Sequence, residues 1–145
     1  MNQFLSQSPI LIPVLVLVLW SLVMLVWMAA ARLPAIARAK LPPEAGERTA
    51  ELAAQLPKHV QWKADNYNHL MEQPTIFYAT ALVLAVAGLG DGINIWLAWA
   101  YVIARILHSL VHATTNVVTL RFGIFLLSSL VLTAMAGHGL YQLLS

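Results

Sequence analysis

The sequence predicts an all-α bundle of four transmembrane helices, a single domain over residues 1–145. Three observations carry that prediction. Of the 145 residues, 60% are hydrophobic and 10% charged, with a mean hydropathy of +0.75. A soluble domain this small has too little interior to hide so much apolar surface. Apolar runs long enough to cross a bilayer recur between short polar breaks. The charges gather in one segment: six of the eight Lys and Arg residues (Arg32, Arg38, Lys40, Arg48, Lys58, Lys63) lie there. That is the pattern of a loop outside the membrane.

The first span is expected over residues 9–31, which hold no charge. Pro13 falls in its first turns, where a missing N–H costs least. Trp27 and Arg32 suit the interface at the far end. No basic n-region precedes the run, and it is longer than a signal-peptide core, so it reads as a retained span. Residues 32–65 form the long basic loop, punctuated by Pro34, Pro42, Pro43 and Pro57. Within it Glu44–Leu56 reads as a short helix: Pro43 lies at its start, acids near its positive end, and Pro57 stops it.

The second span is expected over 66–88, polar for two turns and apolar afterwards, with Pro74 kinking it. Gly88-Leu-Gly-Asp-Gly is a turn. The third span is expected over 93–119, Leu120-Arg121-Phe122-Gly123 as a tight connection, and the fourth span over 124–144. Four spans place both termini on one side. The positive-inside rule puts the long basic loop and Arg121 in the cytoplasm and the Asp91 loop opposite.

Composition excludes several functions. A net charge of +2 and the absence of a basic–aromatic patch argue against nucleic acid. With no cysteine there are no disulfides, thiolate metal sites or cysteine nucleophiles. Membrane lipids are the expected surroundings.

The chemistry concentrates on a stripe in the third span. Arg105, His108, His112 and Asn116 fall at offsets that share one helical face. Charge at bilayer depth costs roughly 2.5–3.5 kcal/mol on insertion scales, so this face should meet another helix, a ligand or water. The second span answers it with His69 and Glu72, one turn apart. Glu72 is the simplest partner for Arg105, through paired charge-assisted hydrogen bonds. Glu72→Ala is therefore expected to destabilise the bundle by stranding the arginine. Asn66 and Asn68 point elsewhere or line the mouth. The i, i+4 pair His108 and His112, with His69 as a third, also has the spacing of metal ligands or of a haem or quinone site. Ordinary interhelical hydrogen bonding is the plainer reading, and no metal is expected. Arg121 is either a snorkelling topology anchor or an anion contact at the mouth.

The chain has four spans, a long basic loop after the first, an Asn-x-x-x-Leu-x-Glu-x-Pro-x-x-Phe-Tyr pattern over Asn66 to Tyr78, and an Arg-x-x-His stripe (Arg105, His108) followed by Arg121. Together these features resemble the MAPEG superfamily, membrane-associated proteins in eicosanoid and glutathione metabolism, and within it a small bacterial branch. The resemblance covers nearly the whole chain. It implies a homotrimer with glutathione bound between subunits near the cytoplasmic side, and a lipophilic co-substrate arriving from the lipid. It implies that Glu72, Arg105 and His108 help bind glutathione, with Asn68, His69 and His112 beside them. It implies that Arg121 contacts or activates the thiol and that Arg32 reaches into a neighbour's site. Some members place Tyr where this chain has His112, and Arg where it has Asn68. The family also holds non-catalytic members. Two functions follow from the resemblance: glutathione-dependent transfer or peroxide reduction on a lipophilic substrate, or a non-catalytic lipid-binding scaffold or accessory subunit.

Overall fold

The computed structural model describes residues 8–145. It is all-helical over that range. In chain order the elements are α1 (Leu11–Ala39), a 3-10 turn (Pro43–Gly46), α2 (Thr49–Gln55), α3 (Lys58–Glu72), α4 (Pro74–Val86), α5 (Gly92–Thr114) and α6 (Val118–Leu144). Three of them, α1, α5 and α6, are each long and apolar enough to cross a membrane.

The second span is divided. Its helix begins at Lys58, two turns before the expected Asn66, and its ladder breaks at Gln73. Pro74 has no N–H to donate and its ring crowds the preceding turn, so α3 ends and α4 restarts with proline in its first turn. Gln73 keeps helical dihedrals (φ −60°, ψ −38°), so the chain enters α4 without leaving the helical region.

Three other boundaries move. α1 continues past Ala31 to Ala39 with Pro34 inside it, and stops at Lys40 in a left-handed conformation (φ 49°). The expected helix over Glu44–Leu56 resolves into the 3-10 turn and α2. The connection after the third span lies at Thr115–Val117 rather than Leu120–Gly123. The left-handed residue there is Asn116 (φ 50°), a residue type that tolerates this region because its short side chain hydrogen-bonds locally. Asn116 therefore leaves the α5 stripe, and Arg121 stands in the first turn of α6 rather than in a loop.

The expected turn after Gly88 is present. Gly88 is left-handed (φ 73°) and Leu89 N–H donates to Leu84 C=O at 2.8 Å, closing the last turn of α4 as a Schellman-type cap.

Helix α5 is the centre. It packs most extensively on α6, and also on α3 and α1, whereas α1 packs chiefly on α3. Of the most apolar stretch of α5, 44% is buried, against 17% for α6. In lipid, helices associate through close packing rather than through expulsion of water, so small residues mark the contacts. Gly139 shows this: a Cβ there would lie 2.5 Å from a Leu84 methyl, so its hydrogen lets α6 approach α4. Phe77 and Tyr101 stack between α4 and α5 with ring centres 4.5 Å apart. Around them Leu17, Leu70, Ala81, Val102 and Met135 complete the core.

Candidate functional site

The stripe on α5 faces inward over its length. Arg105 is wholly buried, and His108 and His112 nearly so. Facing them are the end of α3 and the start of α6.

Arg105 does not pair with Glu72. Its Nη1 donates to Gln73 Oε1 and its Nη2 to the His69 carbonyl, each at 3.3 Å. Among the described residues it forms no salt bridge. Successive helical residues point about 100° apart. Gln73, next to the break, turns toward α5, while the side chain of Glu72 is 70% exposed. Glu72 instead meets His69 Nδ1 at 3.2 Å. The expected stranding of Arg105 by Glu72→Ala therefore has no contact to rest on.

Gln73 is a hub. Its Nε2 donates to Ser129 Oγ at 2.7 Å, and its Oε1 also accepts from Tyr101 Oη at 3.4 Å. The Phe125 ring lies 5.7 Å from the guanidinium carbon and adds its negative face. A buried arginine is thus held by neutral dipoles and an aromatic ring. Its Nε has no partner.

Beyond Arg105 three imidazoles converge. The His69 ring centre is 4.9 Å from that of His108 and 6.0 Å from that of His112. Among the described residues no group of three His, Asp or Glu side chains is placed to hold a metal ion. Arg121 Nη1 reaches back to Asn116 Oδ1, which holds the guanidinium over the turn.

Two cavities open here. One, of about 200 Å³, is lined by His69, His108, Val118, Arg121, Phe122 and Phe125, and is mainly apolar. The other, of about 320 Å³, is lined by Asp65, Asn68, His69, Glu72, His112 and Arg121, and is mainly polar. His69 and Arg121 belong to both. The polar chamber contains donors and acceptors together: one guanidinium, an amide and imidazoles beside two carboxylates. His112 Nδ1 is buried without a partner.

Six of the eight residues singled out from sequence thus line a chamber: Asn68, His69, Glu72, His108, His112 and Arg121. Arg105 lies behind them as buried structure. Arg32 lines neither chamber, and its Nε is buried without a partner on α1. Asn66, which borders the site in sequence, is buried against α5 and donates to Ser109 Oγ at 2.8 Å.

Sequence reasoning missed Gln73, Asp65 and Phe125. Gln73 carried a local signal, an amide immediately before the proline that breaks the helix. Phe125 carried none, because an apolar residue in an apolar span looks like any lipid-facing or core position.

The model of the MAPEG family matches residues 10–141 of this chain. No curated protein and no solved structure matches it significantly.

Proposed function

The chain belongs to the MAPEG family and is an integral membrane protein, and from that premise we propose that it binds glutathione in the polar chamber and presents the thiol to a lipophilic substrate in the apolar one. The observation that carries this reading is the pairing of two unlike chambers that share His69 and Arg121. A tripeptide with two carboxylates and an ammonium needs cationic, acidic and amide groups in one place. Arg121 and Asn68 answer a carboxylate and the peptide, and Glu72 and Asp65 answer the ammonium. The apolar walls of Val118, Phe122 and Phe125 suit a substrate that partitions into lipid.

Arg121 has the pivotal role. A thiol with a pKa of about 8.5 becomes more acidic beside a cation. Arg121 borders both chambers, so it stabilises the thiolate at the boundary where it meets the second substrate. In transfer, the sulfur forms a bond to the electrophilic carbon and the leaving group departs with the electron pair. In peroxide reduction, two glutathione molecules give their thiol hydrogens and become the disulfide, and the peroxide becomes alcohol and water. His69, shared by the two chambers, and His108, in the apolar one, orient the reacting groups.

Arg121 is the one cation among the residues lining the polar chamber. Glutathione's second carboxylate then calls for a cation from a neighbouring subunit. Arg32, with a buried unpartnered Nε, fills that role in a homotrimer. The sparsely buried face of α6 provides the apolar surface for such an assembly. The positive-inside rule, applied to the basic loop, supports a cytoplasmic mouth for the site.

A second reading, the non-catalytic scaffold or accessory subunit, is favoured by the same scarcity of cations. The stripe's other arginine, Arg105, is consumed inside the bundle. Calorimetry of glutathione with the detergent-purified protein separates the two. Micromolar to millimolar binding that Arg121→Ala removes, with turnover of an aryl halide or a lipid hydroperoxide, supports the enzyme. Absence of heat to several millimolar glutathione overturns it in favour of the scaffold.

A further inference from the structure

A third cavity, of about 600 Å³, lies apart from both chambers and shares no lining residue with them. One wall is the end of α1, from the last residue of the expected span onward: Ala31, Pro34, Ala35 and Arg38. The other is the start of α3 with Pro57, His59, Val60 and Lys63. No acidic side chain lines it. Arg38 stands on the first wall and His59 and Lys63 on the second, facing each other across a floor of alanine, proline and valine side chains.

Those cations are available. Among the described residues Arg38 forms no salt bridge and no side-chain hydrogen bond, which leaves all five of its N–H groups free. Lys63 Nζ donates to the carbonyls of His59 (2.9 Å) and Ala113 (3.3 Å) and lies 5.3 Å from the centre of the Trp27 ring. These bonds fix its position and leave a third donor.

Depth locates the cavity. Helix α1 has 29 residues, about 43 Å at 1.5 Å per residue, against a hydrocarbon core of roughly 30 Å. Its last turns therefore pass the acyl region, and Trp27 marks the boundary. The cavity opens at headgroup depth with an apolar wall continuous with the span below. A soluble anion would use the cations and leave that wall idle. A phospholipid uses both.

We propose that this cavity is a binding site for an anionic phospholipid, its phosphate held by Arg38 and Lys63 with His59 beside them, and the root of an acyl chain lying along Ala31, Pro34 and Ala35. The site is independent of the glutathione reading.

Native mass spectrometry of the full chain in mild detergent tests it, with phosphatidylglycerol and phosphatidylcholine titrated separately and inorganic phosphate added as competitor. Phosphatidylglycerol is expected to bind about fivefold or more tightly than phosphatidylcholine. Arg38→Gln should weaken it about fivefold, the worth of one cation near an anionic lipid, and weaken phosphatidylcholine less, because its choline already offsets the phosphate charge. Arg38 is exposed and makes no hydrogen bond, so this variant keeps the fold. Lys63→Gln should weaken phosphatidylglycerol further in the double variant. About 10 mM phosphate should displace nothing, given the apolar wall's share of the binding. Equal affinity for the two lipids, or an Arg38→Gln protein that binds as the parent does, overturns the proposal. Displacement by inorganic phosphate overturns it in favour of a soluble anion.

Discussion

Helix α5 carries a polar cluster at each end, and the two are built differently. Near its start Asn94 is nearly fully buried, and its side chain is satisfied. Its Nδ2 donates to the Leu89 carbonyl at 2.8 Å and to Gln142 Oε1 at 3.0 Å, and its Oδ1 meets His138 Nδ1 at 2.9 Å. Near its end Arg105, His108 and His112 are also buried, yet Arg105 Nε and His112 Nδ1 have no partner. Two cavities adjoin this second cluster, and Asn94, His138 and Gln142 line neither. Burial and polarity are common to both ends. Unused hydrogen-bonding capacity beside open space belongs to one, and there a ligand has something to gain. The first cluster ties the α4–α5 turn to α6; the second holds an opening.

The largest test of this contrast is Arg121→Ala. If the open end is a catalytic site, glutathione-dependent turnover falls by about 100-fold, as when a single charge-stabilising group is removed. The melting temperature in detergent should stay near the parent's, because Arg121 bonds only to Asn116 among the described residues. Parallel loss of melting temperature and activity would make Arg121 a structural residue.

Gln73→Leu probes the wall behind the open site. It removes the acceptor shared by Arg105 and Tyr101 and leaves part of a buried guanidinium unpaired, at a cost of about 2–4 kcal/mol. A matched drop in thermal stability is expected. Gln73→Glu should recover most of it, since a carboxylate accepts from the same donors.

Asn94→Ala removes three hydrogen bonds at the closed end and should cost about 1–3 kcal/mol. Glutathione affinity measured by calorimetry should not change. A change in affinity would join the two clusters and dissolve the contrast.

The smallest effect is expected from Glu72→Gln. The carboxylate is mostly exposed and touches only His69, so stability should shift by less than about 0.5 kcal/mol. Glutathione binding should weaken, because one of the two acids facing the ammonium is gone. A large loss of thermal stability would restore the ion pair with Arg105.

Much of this was legible along the chain. The α5 stripe could be read because helical periodicity is local: residues three and four apart share a face wherever the helix is placed. The turn at Gly88 could be read because glycine takes a left-handed conformation that other residues resist. The partner of Arg105 could not. Choosing Gln73 over Glu72 depends on a rotation of about 100° between neighbours. It also depends on which face of the α3–α4 break meets α5. The turn after α5 was misplaced for a related reason: Gly123 looked like the break, while Asn116 takes the left-handed position.

Sequence by itself determined that this chain is helical, membrane-embedded and of the MAPEG family, and that its polar chemistry lies on the second and third spans. Helicity, membrane embedding and the polar stripe rest on composition and short-range periodicity, and the family on residue patterns matched over residues 10–141, all of which the chain carries before it folds. Only the tertiary structure decided that Arg105 is buried on Gln73 behind the site, that Arg121 borders two chambers, and that Phe125 lines one of them. Each of these depends on which groups from distant segments fill or leave the space between helices, and that is a property of packing.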